Sequence, residues 1–364
     1  MRHLAFLLLL VPVFSCQSTP KGAAALTTSS HGFLSPQFFA VTHQGENYDS
    51  HVSPSNQKIV FVSRSRPAHP HSEIYEANLE TRVDRRITFQ SARVLNPRFV
   101  DDKNLVYLST TDEDKEGESL IEKALERLQR NPASQNASAP PYPTHENYEL
   151  YFSSSDGQKI ERWTHHPGFD GEIETVPGSG RLIYVQRFKD QHRVLELNIA
   201  TKATRALAEG ISAPTYMSPS PLNQTWAALE MSSGAKGHTL VLHSKDASHQ
   251  RHLVAEGSSI QHPRFDPSGR FVLYSSNKDE VKSYELYLYD TIRFCTHRLT
   301  HDSFNQLFAH FDSGGRNIYF SSDFSGPFQI YRMPFQPPSD CPGEERSPAA
   351  SVPPVLSPPE SSRE

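Results

Sequence analysis

The sequence predicts an all-β fold, a six-bladed β-propeller, on three observations. First, Gln261 to Thr300 packs four strand-like runs into forty residues: RFD before a Pro-Ser-Gly turn, then RFVLYSS, then YELYLYD after a charged loop, then CTHRLT. Pro267 and Gly269 suit the fixed and the permissive backbone of a tight turn. The Tyr, Phe, Val and Leu of the runs suit a pleated, half-buried surface. Second, the unit recurs. With Asp266 as the residue that leads the first turn, the equivalent positions are Ser53, Val100, Pro177, Ser218 and Asp312. Third, these positions lie 47, 77, 41, 48 and 46 residues apart, a period in the mid-forties broken once. One four-stranded unit cannot bury both of its faces, so repeats at this period predict blades set round an axis.

The runs SPSNQKIVFVS, DPSGRFVLYSS with YELYLYD and HRLT, and DSGGRNIYFSS with IYRMPF resemble the repeats of TolB-like propellers. The resemblance covers about residues 36–335. It is good in repeats one, five and six and weaker in two, three and four, where repeat three lacks the Ser-Pro-Asp-Gly turn. It implies the fold and leaves the function open, because one fold hosts many functions.

Taken in order, residues 1–15 carry Arg2 and then the apolar run Leu4–Val13, which is too short to span a bilayer and reads as a secretory signal. Val13-Phe14-Ser15-Cys16 resembles a bacterial lipobox. That resemblance implies lipidation of Cys16, and Gln17 after it implies the outer membrane, with the protein facing the periplasm. Residues 16–35, rich in Ser, Thr, Ala and Gly, read as a flexible tether. PQFFAVTHQGENYDSHVSP parallels CTHRLTHDSFNQLFAHFDS: each has a Thr-His, an Asn a few residues on and a His before the turn. FFAVT is therefore expected to be the outer strand of blade six, closing the ring and removing an open edge. The long gap reflects an insertion over about 112–147, where ESLIEKALERLQRN carries apolar residues at helical spacing. It is read as a surface excursion in blade two. The propeller ends near residue 335, and the Pro- and Ser-rich residues 336–364 read as a disordered tail.

The net charge of −5 and the lack of a basic stripe argue against a nucleic-acid partner. No second apolar run of membrane-spanning length is present, and mean hydropathy is −0.57. The chain is expected to be a monomer. Of three cysteines, Cys16 belongs to the lipobox; Cys295 and Cys341 could pair in an oxidising compartment, and the sequence leaves that open. No Cys-x-x-Cys, Gly-x-Ser-x-Gly, phosphate loop or His-Glu-x-x-His occurs.

The chemistry is concentrated in the first strand of each repeat. Two residues before the turn-leading position stand His51, Arg98, Thr175, Tyr216, Arg264 and His310; four before it stand Asp49, Asn96, Ile173, Pro214, His262 and Phe308. The positions one before are Val52, Phe99, Val176, Met217, Phe265 and Phe311, all apolar. This alternation separates a packed face from a mixed polar one. In a propeller the polar face would ring the central channel, so His51, Arg98, Tyr216, His262, Arg264 and His310 are the ligand-binding candidates. His51, His262 and His310, with Asp49 near, have the donor chemistry for a divalent metal, and the resemblance implies it too, since some polysaccharide lyases with such propellers hold a metal. Arg98 and Arg264 suit an anionic ligand. The leading expectation is a non-catalytic scaffold that binds an envelope protein or a small anionic ligand. The alternative is a metal-assisted lyase or hydrolase acting on an acidic oligosaccharide.

Overall fold

The computed structural model describes residues 37–67, 72–90, 92–111, 148–166, 168–176, 178–188, 191–208, 214–222, 225–231, 238–244, 251–255, 259–279 and 282–342. The leader, Cys16, the tether, the insertion expected over 112–147 and residues 343–364 lie outside them. Among the described residues there are strands and no helix.

The first strand among the described residues is short, β1 (Phe39–Ala40). Blade one then comprises β2 (Glu46–Val52), β3 (Lys58–Arg64), β4 (Glu73–Asn78) and β5 (Asp84–Arg86). Blade two comprises β6 (Val94–Phe99), β7 (Asn104–Ser109), β8 (Glu149–Ser154) and β9 (Ile160–Arg162). Blade three comprises β10 (Phe169–Val176), β11 (Arg181–Phe188), β12 (Gln191–Asn198) and β13 (Thr204–Ala208). Blade four comprises β14 (Pro214–Pro219), β15 (Thr225–Met231), β16 (His238–Ser244) and β17 (Arg251–Ala255). Blade five comprises β18 (Ile260–Phe265), β19 (Phe271–Ser276), β20 (Glu285–Asp290) and β21 (Cys295–Arg298). The last three strands are β22 (Gln306–Phe311), β23 (Asn317–Ser322) and β24 (Gln329–Pro334).

Each blade is a four-stranded antiparallel meander, and the first strands of successive blades abut round the axis. Blade six takes its fourth strand from the start of the chain: β1 pairs antiparallel with β24, Phe39 opposite Arg332 and Ala40 opposite Tyr331. FFAVT thus closes the ring.

The period-two pattern decides where the core lies. In β20, Tyr287 and Tyr289 pack toward blade four with Leu229 and Leu240, while Leu286 and Leu288 pack toward blade six with Ala309, Ile318 and Phe320. Every blade is sandwiched this way, so the core consists of apolar layers between blades. Aromatic residues directly opposite each other in the second and third strands stiffen four blades. Phe61–Tyr75, Tyr107–Tyr151, Tyr274–Tyr287 and Phe320–Tyr331 stack with centroids 5.6–6.2 Å apart.

The same four blades share a polar clamp that explains the recurring threonine after the outer strand. The hydroxyl oxygens of Thr88, Thr164, Thr300 and Thr42 each accept from the third-strand amide of Ile74, Leu150, Leu286 and Ile330, all at 2.9 Å. Thr88, Thr164 and Thr42 in turn donate to Glu73, Glu149 and Gln329. Where an arginine stands two residues before the threonine, its Nε donates to the threonine carbonyl, at 2.6 Å from Arg86 and 2.8 Å from Arg162 and Arg298. The motif satisfies the buried amide that the short outer strand leaves unpaired. At the opposite end of the blade, the Asp266 carboxylate accepts from the amides of Phe271 at 2.7 Å and Ser268 at 3.1 Å, and Gly269 takes the φ of +72° that the turn needs.

Beyond β24, the disulfide Cys295–Cys341 ties the chain to the outer strand of blade five, with Cα atoms 6.0 Å apart. It holds the first described part of the tail, residues 336–342.

Replacing Thr88 with Val keeps the shape and removes the acceptor for the buried Ile74 amide. We expect a loss of about 1–3 kcal/mol in urea unfolding; an unchanged midpoint would show that the clamp carries no stability.

Candidate functional site

The inner strands place the polar columns on the axis, and a bulge in each shapes them. In blades one, two, three, five and six the register shifts by one residue, between Tyr48 and His51, Leu95 and Arg98, Gly171 and Glu174, Gln261 and Arg264, and Leu307 and His310. A residue with left-handed backbone sits in each bulge: Asp49 (φ 49°), Asn96 (53°), Glu172 (55°), His262 (50°) and Phe308 (56°). Such conformations cost on the order of 1–2 kcal/mol in non-glycine residues, and their recurrence at one level shows that the ring imposes them. Blade four is the exception. It carries Pro214 at that level, whose ring fixes φ near −65°, and its bulge falls between Pro214 and Tyr216 instead.

This register corrects one column. In blade three the axial residues are Glu172 and Glu174, not Ile173 and Thr175; Ile173 is buried in the layer shared with blade two. The turn of blade three is led by Val176 rather than Pro177. The residues two before the turn are therefore His51, Arg98, Glu174, Tyr216, Arg264 and His310.

Their centre is an ion-pair network. Arg98 is fully buried, as is Asp49. Its Nη1 lies 3.0 Å from Asp49 Oδ1, and its Nη2 lies 3.3 Å from Glu174 Oε1. The same Glu174 oxygen accepts from the Tyr216 hydroxyl at 2.6 Å and pairs with Arg264 Nη2 at 2.8 Å. Arg264 Nη2 also donates to the Tyr216 oxygen at 2.8 Å. Asn96 donates to Asp49 from Nδ2 at 3.3 Å and accepts the amide of Ile173. Inner strands of five blades are thus linked through two carboxylates.

The electrostatics follow from burial and these pairs. Burial alone would raise the Asp49 carboxyl, but Arg98 and Arg264 outweigh it and hold it below its ordinary value. Burial opposes charge on Arg98, and Asp49 and Glu174 overcome that and raise it further. Burial raises the Tyr216 hydroxyl well above its usual range. Glu172 is pushed up to about 7, chiefly by burial, although Arg187 lies 3.7 Å away.

The histidines complete the axis. His51 and His310 stack with centroids 5.9 Å apart and planes 20° from parallel. His51 Nδ1 accepts the Phe99 amide at 3.1 Å, which places the proton of the neutral ring on Nε2. His310 Nδ1 faces the Phe308 carbonyl at 3.4 Å, and its Nε2 has no hydrogen-bond partner among the described residues. His262 belongs to the other level. It packs on Phe308 at 4.0 Å and edge-on to Tyr216 at 5.7 Å, and its Nδ1 likewise lacks a partner among the described residues. Burial first, and Arg264 and Arg98 with it, lower His262 and His310 to about 3. All six candidates therefore line the channel. His51, His262 and His310, however, do not present ligand atoms within 4.8 Å of one another, because His262 sits one level away from the stacked pair. Among the described residues the group that meets this distance is Cys295, His297 and Cys341. The proposed channel trio does not fit a single ion.

Neither a protein-family model nor a curated protein matches the sequence. Solved structures do match. A putative TolB from Agrobacterium tumefaciens aligns with TM-score 0.52 and 15% identity over 69% of this chain and 78% of that one. An oligogalacturonate lyase from Vibrio parahaemolyticus aligns with TM-score 0.52 and 13% identity, covering 81% and 80%. An oligogalacturonate lyase in complex with manganese aligns with TM-score 0.51 and 12% identity, covering 81% and 79%. The chain spans only 55% of the TolB of Acinetobacter baumannii. These likenesses establish a TolB-like six-bladed propeller fold.

Arg98→Met would take from buried Asp49 the cation it pairs with and leave Glu174 with Arg264 alone; we expect a loss of about 3–5 kcal/mol in urea unfolding, against a small loss for the rim substitution Arg293→Met. Acid should also destabilise. His262 and His310 bind protons near pH 6.5 when unfolded and near 3 when folded, so stability is full above pH 6.5 and falls as pH drops toward 3. The slope is up to about 1.4 kcal/mol per pH unit for each imidazole. Glu172 acts oppositely: its contribution is full below its unfolded value of 4.5 and is lost as pH rises through about 7. Urea midpoints between pH 7 and 4 should fall, and His310→Gln should flatten the fall; a slope unchanged by His310→Gln would refute the assignment.

Proposed function

We propose that this chain is a non-catalytic binding scaffold: a TolB-like propeller that engages an envelope protein through its faces. One observation carries the reading. Arg98, the strongest anion-binding candidate, is fully buried between Asp49 and Glu174, so the channel's charges serve one another. The groups around it suit a fixed wall. His262 and His310 stay neutral at ordinary pH, the Tyr216 hydroxyl stays protonated, and Arg98 stays charged, so these four do not exchange a proton near neutrality, and Glu172, held at about 7, is the axial group that does. In this reading the lipobox-like Val13-Phe14-Ser15-Cys16 supplies a lipid anchor at Cys16 on the periplasmic side of the outer membrane, and residues 16–35 give reach. The chain spans part of one TolB neighbour, so that protein's assembly is not transferred.

The second reading is a metal-assisted lyase acting on an acidic oligosaccharide. It is favoured by the two oligogalacturonate lyase neighbours and by the ring nitrogens of His262 and His310 that have no hydrogen-bond partner among the described residues. The channel trio's poor fit to one ion weighs against it.

Two measurements separate the readings. The purified chain, given oligogalacturonides and Mn2+, should form no unsaturated product by ultraviolet absorbance; formation that Arg264→Ala abolishes would replace the scaffold with the lyase. In cells, a clickable fatty acid should label the chain, and Cys16→Ser should abolish labelling and release the protein from outer-membrane fractions. Labelling that persists in Cys16→Ser would remove the anchor.

A further inference from the structure

The outer rim of blade five holds a second cluster that the channel does not use. Cys295 and His297 stand two residues apart on β21 and so project to the same side of the strand. Their positions opposite Asp290 and Leu288 fix the register. β21 is the outermost strand of its sheet, and both side chains are half-buried. Cys341 arrives from 46 residues further along the chain and is disulfide-bonded to Cys295. His297 Nε2 lies 3.5 Å from Cys295 Sγ. The two sulfurs and the ring nitrogen all lie within 4.8 Å of one another.

That spacing matters because zinc binds sulfur at about 2.3 Å and imidazole nitrogen at about 2.0–2.1 Å. Two ligand atoms on one ion are then at most about 4.6 Å apart; His297 Nε2 already stands 3.5 Å from Cys295 Sγ, and the two bonded sulfurs must part on reduction to share an ion. Soft thiolate with imidazole is the donor set that selects zinc-like cations. The position two residues from Cys295 need not have been an imidazole to make a disulfide; its presence is what turns a staple into a candidate chelate.

We propose that Cys295, Cys341 and His297 form a thiol-controlled metal site: closed as a disulfide when oxidised, and a three-ligand site for a zinc-like divalent cation when reduced. A dithiol reductant supplies two electrons and two protons and is itself closed to a disulfide. The Cys295–Cys341 bond breaks and two thiols form. The cation displaces both thiol protons to solvent, two metal–sulfur bonds form, and His297 adds the lone pair of Nε2. The fourth position stays open to water or to a donor from a partner, as in sites with three protein ligands. The staple between blade five and the start of the tail is preserved in either state, as a covalent bond or as a shared ion.

Co2+ is the probe, because thiolate ligation gives a near-ultraviolet charge-transfer band that histidine-only sites lack. The full chain is reduced with a dithiol, desalted without oxygen and titrated with Co2+, beside the oxidised protein. The reduced protein should bind one equivalent with the thiolate band, and Zn2+ should displace it; the oxidised protein should show no band. His297→Ala, whose folding is checked by its oxidised melting temperature, should keep the band but bind at least about tenfold more weakly. Absence of the band in the reduced protein, unchanged affinity in His297→Ala, or a disulfide that resists the dithiol would each overturn the site.

Discussion

A single carboxylate oxygen organises the axis of this molecule. Glu174 Oε1 takes donors from Arg98 of blade two, Tyr216 of blade four and Arg264 of blade five, while Asp49 of blade one holds the other side of Arg98. A propeller has no apolar centre of its own; its apolar layers lie between blades, and the first strands meet round a channel. Here that channel is filled by mutually satisfied charge. Such a network contributes little net stability relative to an apolar filling, because desolvation offsets attraction. It is unforgiving of partial loss, however, and it ties together inner-strand side chains of blades one, two, three, four and five. The left-handed residues at 49, 96, 172, 262 and 308 belong to the same constraint: the inner strands must bulge to bring their side chains to the axis.

The outer part of each blade obeys different rules. There, stacked aromatic pairs and the threonine clamp repeat in blades one, two, five and six, and both are local. Blades three and four lack these aromatic pairs among the described residues and are two of the three repeats that are weaker in sequence; blade two, the third, keeps both devices. The local devices and the motif are one thing seen twice, since the motif is what remains when a turn, a pair and a clamp must each occupy a set position.

That explains what could be read from the chain. Six blades, the closing strand at Phe39–Ala40 and five of the six residues two before the turn follow from period and alternation, which are short-range properties. Blade three is displaced by one residue because its turn is led by Val176, where blades one, five and six have Ser53, Asp266 and Asp312, and the Pro177 that follows mimics a turn-leading position. A signal was present: Glu172-Ile173-Glu174 puts two acids on one face of the strand. The pairing of Arg98 with Asp49 and Glu174 depends on blades far apart in sequence, so the sequence displays the charges without revealing that they neutralise one another. The metal-like cluster at Cys295 was hidden for the same reason: its ligands are a Cys-x-His and a cysteine from beyond the last blade.

The closure of the ring has a mechanical side. The chain is held to itself at β1 by a two-residue strand, together with the bonds of Val41 and Thr42 to Ile330 and Gln329. On the other side of the same blade, a covalent bond joins Cys341 to blade five. A pull on the N-terminal end would peel a short zipper, one hydrogen-bonded pair at a time. A pull on the C-terminal end would load a disulfide instead. The molecule is a clasped bracelet whose clasp yields from one direction only.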